Sequence, residues 1–267
     1  MKKSEFRFSS VTAVLYPVLF GVVLIALWQG QVLHKLLHTT TLILPLPTRI
    51  LSVLMENLPA IGEDSWATLS VILPGLVLGS ILGYLLAVFA TNSPRFGATG
   101  LTIIAAISAI PTVALAAVVL QWTRDISPNV DVRSYVMKLV IVTLVSVASM
   151  TLNAYRGLTE LPPFALDLMK SYAADKRTVL LKLRAPNSLP YIFVSLKVSV
   201  PACVIAALVS EYFAEKIVGV GRRIRECILQ AQYTTAWAYI VTACIIGIVL
   251  FAILMACEKI ILRKRNS

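Results

Sequence analysis

Long apolar stretches are the feature that most constrains this chain. Each is about as long as the roughly 20 residues a helix needs to cross a bilayer, and together they cover residues 11–28, 66–90, 100–122, 136–152, 189–212 and 236–257. Inside a bilayer the backbone has no water to bond, so such stretches cross as helices. The sequence therefore predicts an all-α, polytopic integral membrane protein with about six transmembrane helices.

Composition agrees with a membrane location. Of the 267 residues, 58% are hydrophobic and only 14% are charged, whereas a soluble domain has about 25% charged residues. This excludes an ordinary cytosolic enzyme and a disordered chain, and leaves little length for a soluble catalytic domain.

The first apolar stretch is longer than the core of a signal peptide, so a retained span is favoured over a cleaved one.

The distribution of charge predicts orientation. The chain has 24 Lys and Arg against 13 Asp and Glu, a net charge of +11. Most basic residues fall at the N-terminus, in the 91–99 loop, in the 153–188 segment and in the C-terminal tail, all on one side of the predicted spans. By the positive-inside rule this side is cytoplasmic, with both termini inside the cytoplasmic membrane. A basic membrane face explains the charge without nucleic acid.

Two short amphipathic segments are predicted outside the spans. Residues 48–58 carry a helical apolar stripe too short to cross, which favours a helix on the outer membrane surface. In the cytoplasmic 153–188 segment, residues 164–172 and 176–183 read as two helices, with Asp175 as the N-cap of the second, which should end before Pro186. This pair fits either a docking surface or an ordinary interfacial loop.

The cytoplasmic segment resembles a loop of a known family, the permease subunits of bacterial ABC importers. Their loop has the form E-A-A-x3-G-x9-I-x-L-P. Asp167 falls at the acidic position, Leu168-Met169 at the alanines, Ala173 at the glycine and Ala185-Pro186 at the final L-P. If the backbone shape at the glycine position is kept, Ala173 adds on the order of 1 kcal/mol of strain.

Flanking motifs resemble the branch that imports sulfonates, taurine, nitrate and thiamine precursors. These motifs include K-L-R-A-P-N-S-L-P-Y-I-F at 182–193, L-P-L-P at 44–47, W-A-T-L at 66–69, A-I-P at 109–111 and G-V-G at 219–221. The resemblance covers roughly residues 44–262. It divides the chain into an N-terminal span with an outer amphipathic segment, 1–65, and a permease core, 66–262, with the coupling loop at 153–188.

The resemblance implies a homodimer that works with two cytoplasmic ATPases and an extracytoplasmic binding protein. The chain lacks a G-x4-G-K-[ST] phosphate-binding loop, so ATP and Mg²⁺ belong to the partner ATPase, and this subunit is not itself an enzyme. The residues expected to contact the ATPase lie in the coupling loop: Phe164, Asp167, Leu168, Met169, Ala173, Ala174, Arg177 and Pro186.

Lys197 and Glu211 in the fifth predicted span are candidate pathway residues, because ionisable groups within spans are costly and usually face a cavity or a partner. The alternatives are that Lys197 snorkels to the cytoplasmic surface and that Glu211, near the outer end, is solvated. Ser210 is a third candidate pathway residue. His34 and His38 have the i,i+4 spacing of metal ligands but no third ligand nearby, so no metal is assigned.

The alternative function is an ion-coupled secondary transporter that works without an ATPase.

Overall fold

The computed structural model describes residues 2–263, except for the side chains of 2–14, 94–96 and 98. In this part of the chain helices are joined by short non-helical connections, and the described residues contain no β-strand. The helices, in chain order, are α1 (Lys2–Gln29), α2 (Val32–Leu36), α3 (Pro47–Glu56), α4 (Leu58–Asn92), α5 (Pro94–Ser108), α6 (Thr112–Ile126), α7 (Val130–Thr159), α8 (Ala165–Ser171), α9 (Lys176–Val179), α10 (Ala185–Phe213), α11 (Val220–Leu229) and α12 (Tyr233–Arg263). The prediction of an all-α membrane protein is confirmed.

Four long apolar helices in the described residues can cross a bilayer. They are Leu58–Asn92, Val130–Thr159, Lys176–Phe213 and Tyr233–Arg263. A bent pair, Thr99–Ser108 and Thr112–Ile126, can form a fifth span. The first predicted span, 11–28, lies within α1, whose apolar part among the described side chains is Leu15–Gln29. Most helices extend beyond the predicted apolar stretches, since polar residues continue them past the membrane.

The span predicted at 100–122 is broken in its middle. Its two halves meet at 92°, and Pro111 between them has the extended dihedrals φ −58° and ψ 129°. Proline has no N–H to continue a helical hydrogen-bond ladder, and it disfavours a helical conformation at the preceding residue, Ile110. The motif Ala109-Ile110-Pro111 therefore forms a sharp bend between two helices. Hydropathy does not reveal this bend, because the residues on both sides of it are apolar.

A glycine stripe brings α4 against α7 at the centre of the bundle. Gly75, Gly79 and Gly83 are spaced by four residues and share one helix face. A Cβ added at Gly79 would lie 2.5 Å from both the Thr143 carbonyl oxygen and the Ser146 Cβ. Small residues let membrane helices approach closely, where dispersion and hydrogen bonds replace the hydrophobic effect. α10 packs on the other side of α7 and completes the core.

The helix predicted to end before Pro186 instead continues into the membrane. α9 runs into a π-helical turn, Leu180–Arg184, and then directly into α10. Pro186 lies in the first turn of α10. A π turn shifts the backbone ladder from i→i+4 to i→i+5 and widens the helix, so a proline beyond it need not end the chain's helical path.

The predicted surface helix at 48–58 is present as α3. Ile50 and Val53 are buried against Ala238 of α12, whereas Leu51 and Met55 are exposed. The chain between α10 and α12 contains one further amphipathic helix, α11. Neither histidine considered as a metal ligand belongs to a cluster of three His, Cys, Asp or Glu among the described residues, and the His34 ring nitrogen lies 2.6 Å from the Leu44 carbonyl oxygen.

Candidate functional site

The short helix α8 stands outside the bundle between α7 and α10. One face of α8 is apolar and uncovered by the described chain. It carries Phe164, Leu168 and Tyr172, whose exposed fractions are 82%, 58% and 77%. Apolar side chains this exposed can be covered by a partner protein or by the membrane surface. We call these three residues the α8 face.

A left-handed residue ends α8 at the position where the resembling loop has glycine. Ala173 has φ 51°. The Ala173 N–H donates to the Lys170 carbonyl (2.8 Å) and the Ala174 N–H donates to the Met169 carbonyl (3.0 Å), the two hydrogen bonds of a Schellman motif. The glycine-type backbone is therefore kept with an alanine in it, and the expected strain of about 1 kcal/mol is present.

Charged residues on α8 and α9 are ordered by local contacts. Asp167 pairs with Lys170 at 3.0 Å on the exposed surface of α8. Asp175 caps α9, as predicted, by accepting a hydrogen bond from the Thr178 N–H at 3.1 Å. Hydrogen bonds from the Thr178 side chain and backbone hold the pKa of Asp175 below its usual value. On α8 itself, the Asp167 carboxylate is exposed to solvent next to its partner Lys170.

The ends of α7 and α10 are fastened together next to α8. Asn187 donates to the carbonyl oxygens of Gly157 (2.8 Å) and Glu160 (3.0 Å), and the Tyr191 hydroxyl donates to the Glu160 carboxylate (3.1 Å). A Cβ on Gly157 would lie 2.8 Å from Ser188 Cα, so the two helices touch backbone to backbone. These contacts hold the C-terminal end of α7 against the first turns of α10, and α8 lies between the two helices in the chain.

A cleft of about 440 Å³ opens at the corner of the broken span. Its walls come from α5, α6, α7 and α10, which are far apart in sequence. Most lining side chains are aliphatic, and the polar ones are Ser108, Thr112, Ser149 and Asn153. The cleft is open on one side, because no other part of the described chain closes it.

A largely buried cluster of polar residues lies at the opposite end of the bundle from α8. Asp64 of α4 pairs with Arg223 of α11 at 3.1 Å, accepts a hydrogen bond from the Tyr239 hydroxyl at 2.9 Å and accepts another from the Gly219 N–H at 3.0 Å. Glu211, fully buried, accepts from the Gly221 N–H at 2.8 Å. This cluster ties the N-terminus of α11 to three membrane helices.

The three candidate pathway residues lie outside the lining of the cleft. Glu211 belongs to the buried cluster, where its carboxylate is also 3.1 Å from the Thr68 hydroxyl. Ser210 is fully buried and donates to the Ala207 carbonyl of its own helix at 2.8 Å. Lys197 pairs with Glu258 of α12 at 2.7 Å. Their pathway role stays a prediction, and the contacts they make hold helices together.

Asp64, Thr68 and Tyr239 were not predicted as partners of Glu211 and Arg223. The pair Asp64 and Thr68, at i,i+4 across the start of the apolar stretch 66–90, was an available signal for a polar helix face. The cleft residues Ser149 and Asn153 have the same spacing on α7. The Ser149–Asn153 pair has no charge or motif that separates it from ordinary polar residues in helix packing.

Comparison with known proteins identifies the scaffold. Residues 75–266 match the family described as binding-protein-dependent transport system inner membrane component. The chain belongs to this family. It is 27% identical over 261 residues to the formylaminopyrimidine transport permease protein ThiX of Halalkalibacterium halodurans, covering 95% of this chain and 97% of the relative. It is 28% identical over 198 residues to a probable ABC transporter permease protein of Haemophilus influenzae, covering 74% and 77%.

Solved structures of the same fold include the MetNI methionine ABC transporter in inward-facing conformations. The TM-score is 0.63 at 15% identity, with 78% of this chain and 96% of that chain covered. An amino acid ABC transporter solved with histidines gives 0.61 at 14% identity, with coverage of 77% and 95%. Together with the family match, this makes the chain a transmembrane permease subunit of an ABC importer, the reading that its coupling-loop motifs predicted.

Proposed function

We propose that this permease carries a small pyrimidine-type thiamine precursor into the cytoplasm, driven by two copies of a separate ATPase that bind ATP and Mg²⁺. The observation that supports the ATPase part is the exposed α8 face, together with the exposed Asp167 of the same helix, in the segment that connects α7 to α10. An extracytoplasmic binding protein delivers the solute, and the permease subunit catalyses no reaction itself.

The substrate assignment is supported by relatedness. A relative that covers 95% of this chain is named for formylaminopyrimidine, and the resembling branch includes thiamine precursors beside sulfonates and nitrate. We further propose that two copies of this chain pair so that each closes the open side of the other's cleft, with both termini in the cytoplasm. The N-terminal unit, 1–65, then flanks the permease core, 66–262.

The ATPase interface is proposed to involve Phe164, Asp167, Leu168, Met169, Ala173, Ala174, Arg177 and Pro186. The apolar face supplies contact area, whereas Asp167 supplies a charge for a basic or polar group of the ATPase. Pro186 lies in the first turn of α10, where a change in α8 enters the membrane helix.

Charge reversal at Asp167 tests this proposal. We expect Asp167→Lys to abolish solute-stimulated ATP hydrolysis by the assembled transporter in nanodiscs, while Asp167→Glu retains it. Membrane insertion and co-purification of the second permease copy serve as controls. Unchanged stimulated hydrolysis in Asp167→Lys would contradict the interface. A permease that moves solute in vesicles without ATP or an ATPase would instead support the secondary transporter.

A further inference from the structure

We infer that the cleft at the corner of the broken span is a solute-binding site that accepts an uncharged, hydrogen-bonding ring compound and rejects inorganic and sulfonate anions. This deepens the proposed function and rests on it. The inference starts from the chemistry of the cleft walls, which come from α5, α6, α7 and α10.

The walls offer no counter-charge to an ion. Among the described residues, none that lines the cleft is ionisable. The one basic residue adjacent in sequence to the lining, Lys197 beside Val198, is already neutralised by Glu258 at 2.7 Å. Transfer of an unpaired ion from water to an apolar site is strongly unfavourable, and the cost is far lower for a neutral molecule. An anion would therefore meet a barrier here.

The cleft does offer hydrogen-bonding groups. The Asn153 side-chain N–H donates to the Ser149 carbonyl at 2.9 Å, and within the described part of the chain its side-chain oxygen receives no hydrogen bond. The Ser149 hydroxyl lies 3.2 Å from that of Ser195. Thr112, the first residue of α6, contributes a hydroxyl and a backbone N–H that has no partner inside the helix. Donors and acceptors thus stand together in an otherwise aliphatic wall.

Size and polarity together favour a substituted heterocycle. A volume of about 440 Å³ lies within the range of roughly 300–1,000 Å³ of small-molecule sites. Aliphatic walls contact the faces of a flat ring, while alternating donors and acceptors meet its amino and ring-nitrogen groups. Nitrate offers no apolar surface, and taurine carries two charges that these walls leave unpaired.

Thiol protection on the complete transporter tests the inference. Ser149→Cys is made in a chain whose exposed cysteines, Cys244 and Cys257, are serine; Cys203 and Cys227 are buried. The assembled transporter is labelled with N-ethylmaleimide while formylaminopyrimidine, nitrate or taurine is added. We expect a dose-dependent loss of labelling with formylaminopyrimidine alone. Ser80→Cys, outside the cleft on α4, is the matched control, and none of the three solutes should protect it.

A transport measurement complements the labelling. We expect Ser149→Asp to reduce formylaminopyrimidine uptake about tenfold or more, because a buried carboxylate has no partner in this cleft, whereas Ser80→Ala, outside the cleft on α4, leaves uptake within about threefold. Protection by nitrate or taurine, or by none of the three solutes, would overturn the inference. Loss of coupling to ATP in the unmodified transporter would instead overturn the proposed function, so the two failures are distinguishable.

Discussion

The Lys197 ammonium lies 2.7 Å from the Glu258 carboxylate, joining α10 to α12 through a partly buried ion pair. The Lys197 side chain is 30% exposed and that of Glu258 is 16% exposed. In these surroundings the ion pair stabilises the folded protein only while both partners are present, since removal of one leaves the other charge partly buried and unpaired. The lysine predicted within the fifth span therefore has a counter-charge on a neighbouring helix, and its pathway role stays a prediction.

A double-mutant cycle tests that relationship. We expect Lys197→Ala and Glu258→Ala each to lower the stability of the detergent-solubilised protein by about 1–2 kcal/mol, and the double variant to cost less than the sum. Thermal unfolding of the four proteins provides the measurement. If the two single effects simply add, the ion pair does not hold α10 to α12.

Gly219 should not tolerate a side chain. Its φ of 110° is strained for any residue with a Cβ, and that Cβ would lie 2.5 Å from the Glu211 carboxyl carbon. We expect Gly219→Ala to lower stability by about 1–3 kcal/mol. Gly247→Ala is the control, because nothing lies within 4 Å of its added Cβ. Equal unfolding temperatures for the two variants would show that the buried cluster does not depend on this close approach.

The glycine stripe predicts a similar contrast within α4. We expect Gly79→Ala to separate α4 from α7 and to cost about 1–3 kcal/mol. Gly62→Ala, on the same helix but with no atom within 4 Å of the added Cβ, should leave stability unchanged or raise it slightly, because alanine favours helix. The comparison is made by thermal unfolding in detergent, and a stable Gly79→Ala protein would contradict the close contact.

Replacing Ala173 by glycine should stabilise the end of α8. Glycine adopts the observed left-handed conformation without the Cβ penalty, a local gain of about 1 kcal/mol. Amide hydrogen exchange over residues 165–174 measures this gain in local stability, and we expect slower exchange in Ala173→Gly. Ala174→Gly, whose φ is not positive, is the control and should not slow exchange. Faster exchange in Ala173→Gly would mean that the Schellman motif is not the conformation in solution.

Several local features could be predicted from the sequence because neighbouring residues decide them. The Asp175 cap depends on a hydrogen bond to Thr178, three residues away, and the glycine-like turn at Ala173 depends on bonds within α8. The amphipathic helix α3 follows from an apolar stripe read with a period of 3.6. By contrast, the predicted helix end before Pro186 was wrong. The π turn at Leu180–Arg184 accommodates the proline, so the helix continues through it.

The sequence by itself determined that this chain is a helical membrane protein, since hydropathy is a local property of the chain. Only the tertiary structure decided what Glu211 and Lys197 contact, because Thr68 lies 143 residues from Glu211 and Glu258 lies 61 residues from Lys197. It also decided the cleft, whose walls join residues from 107 to 205 around the corner at Pro111. Contacts of that range depend on helix packing, which hydropathy and periodicity do not encode.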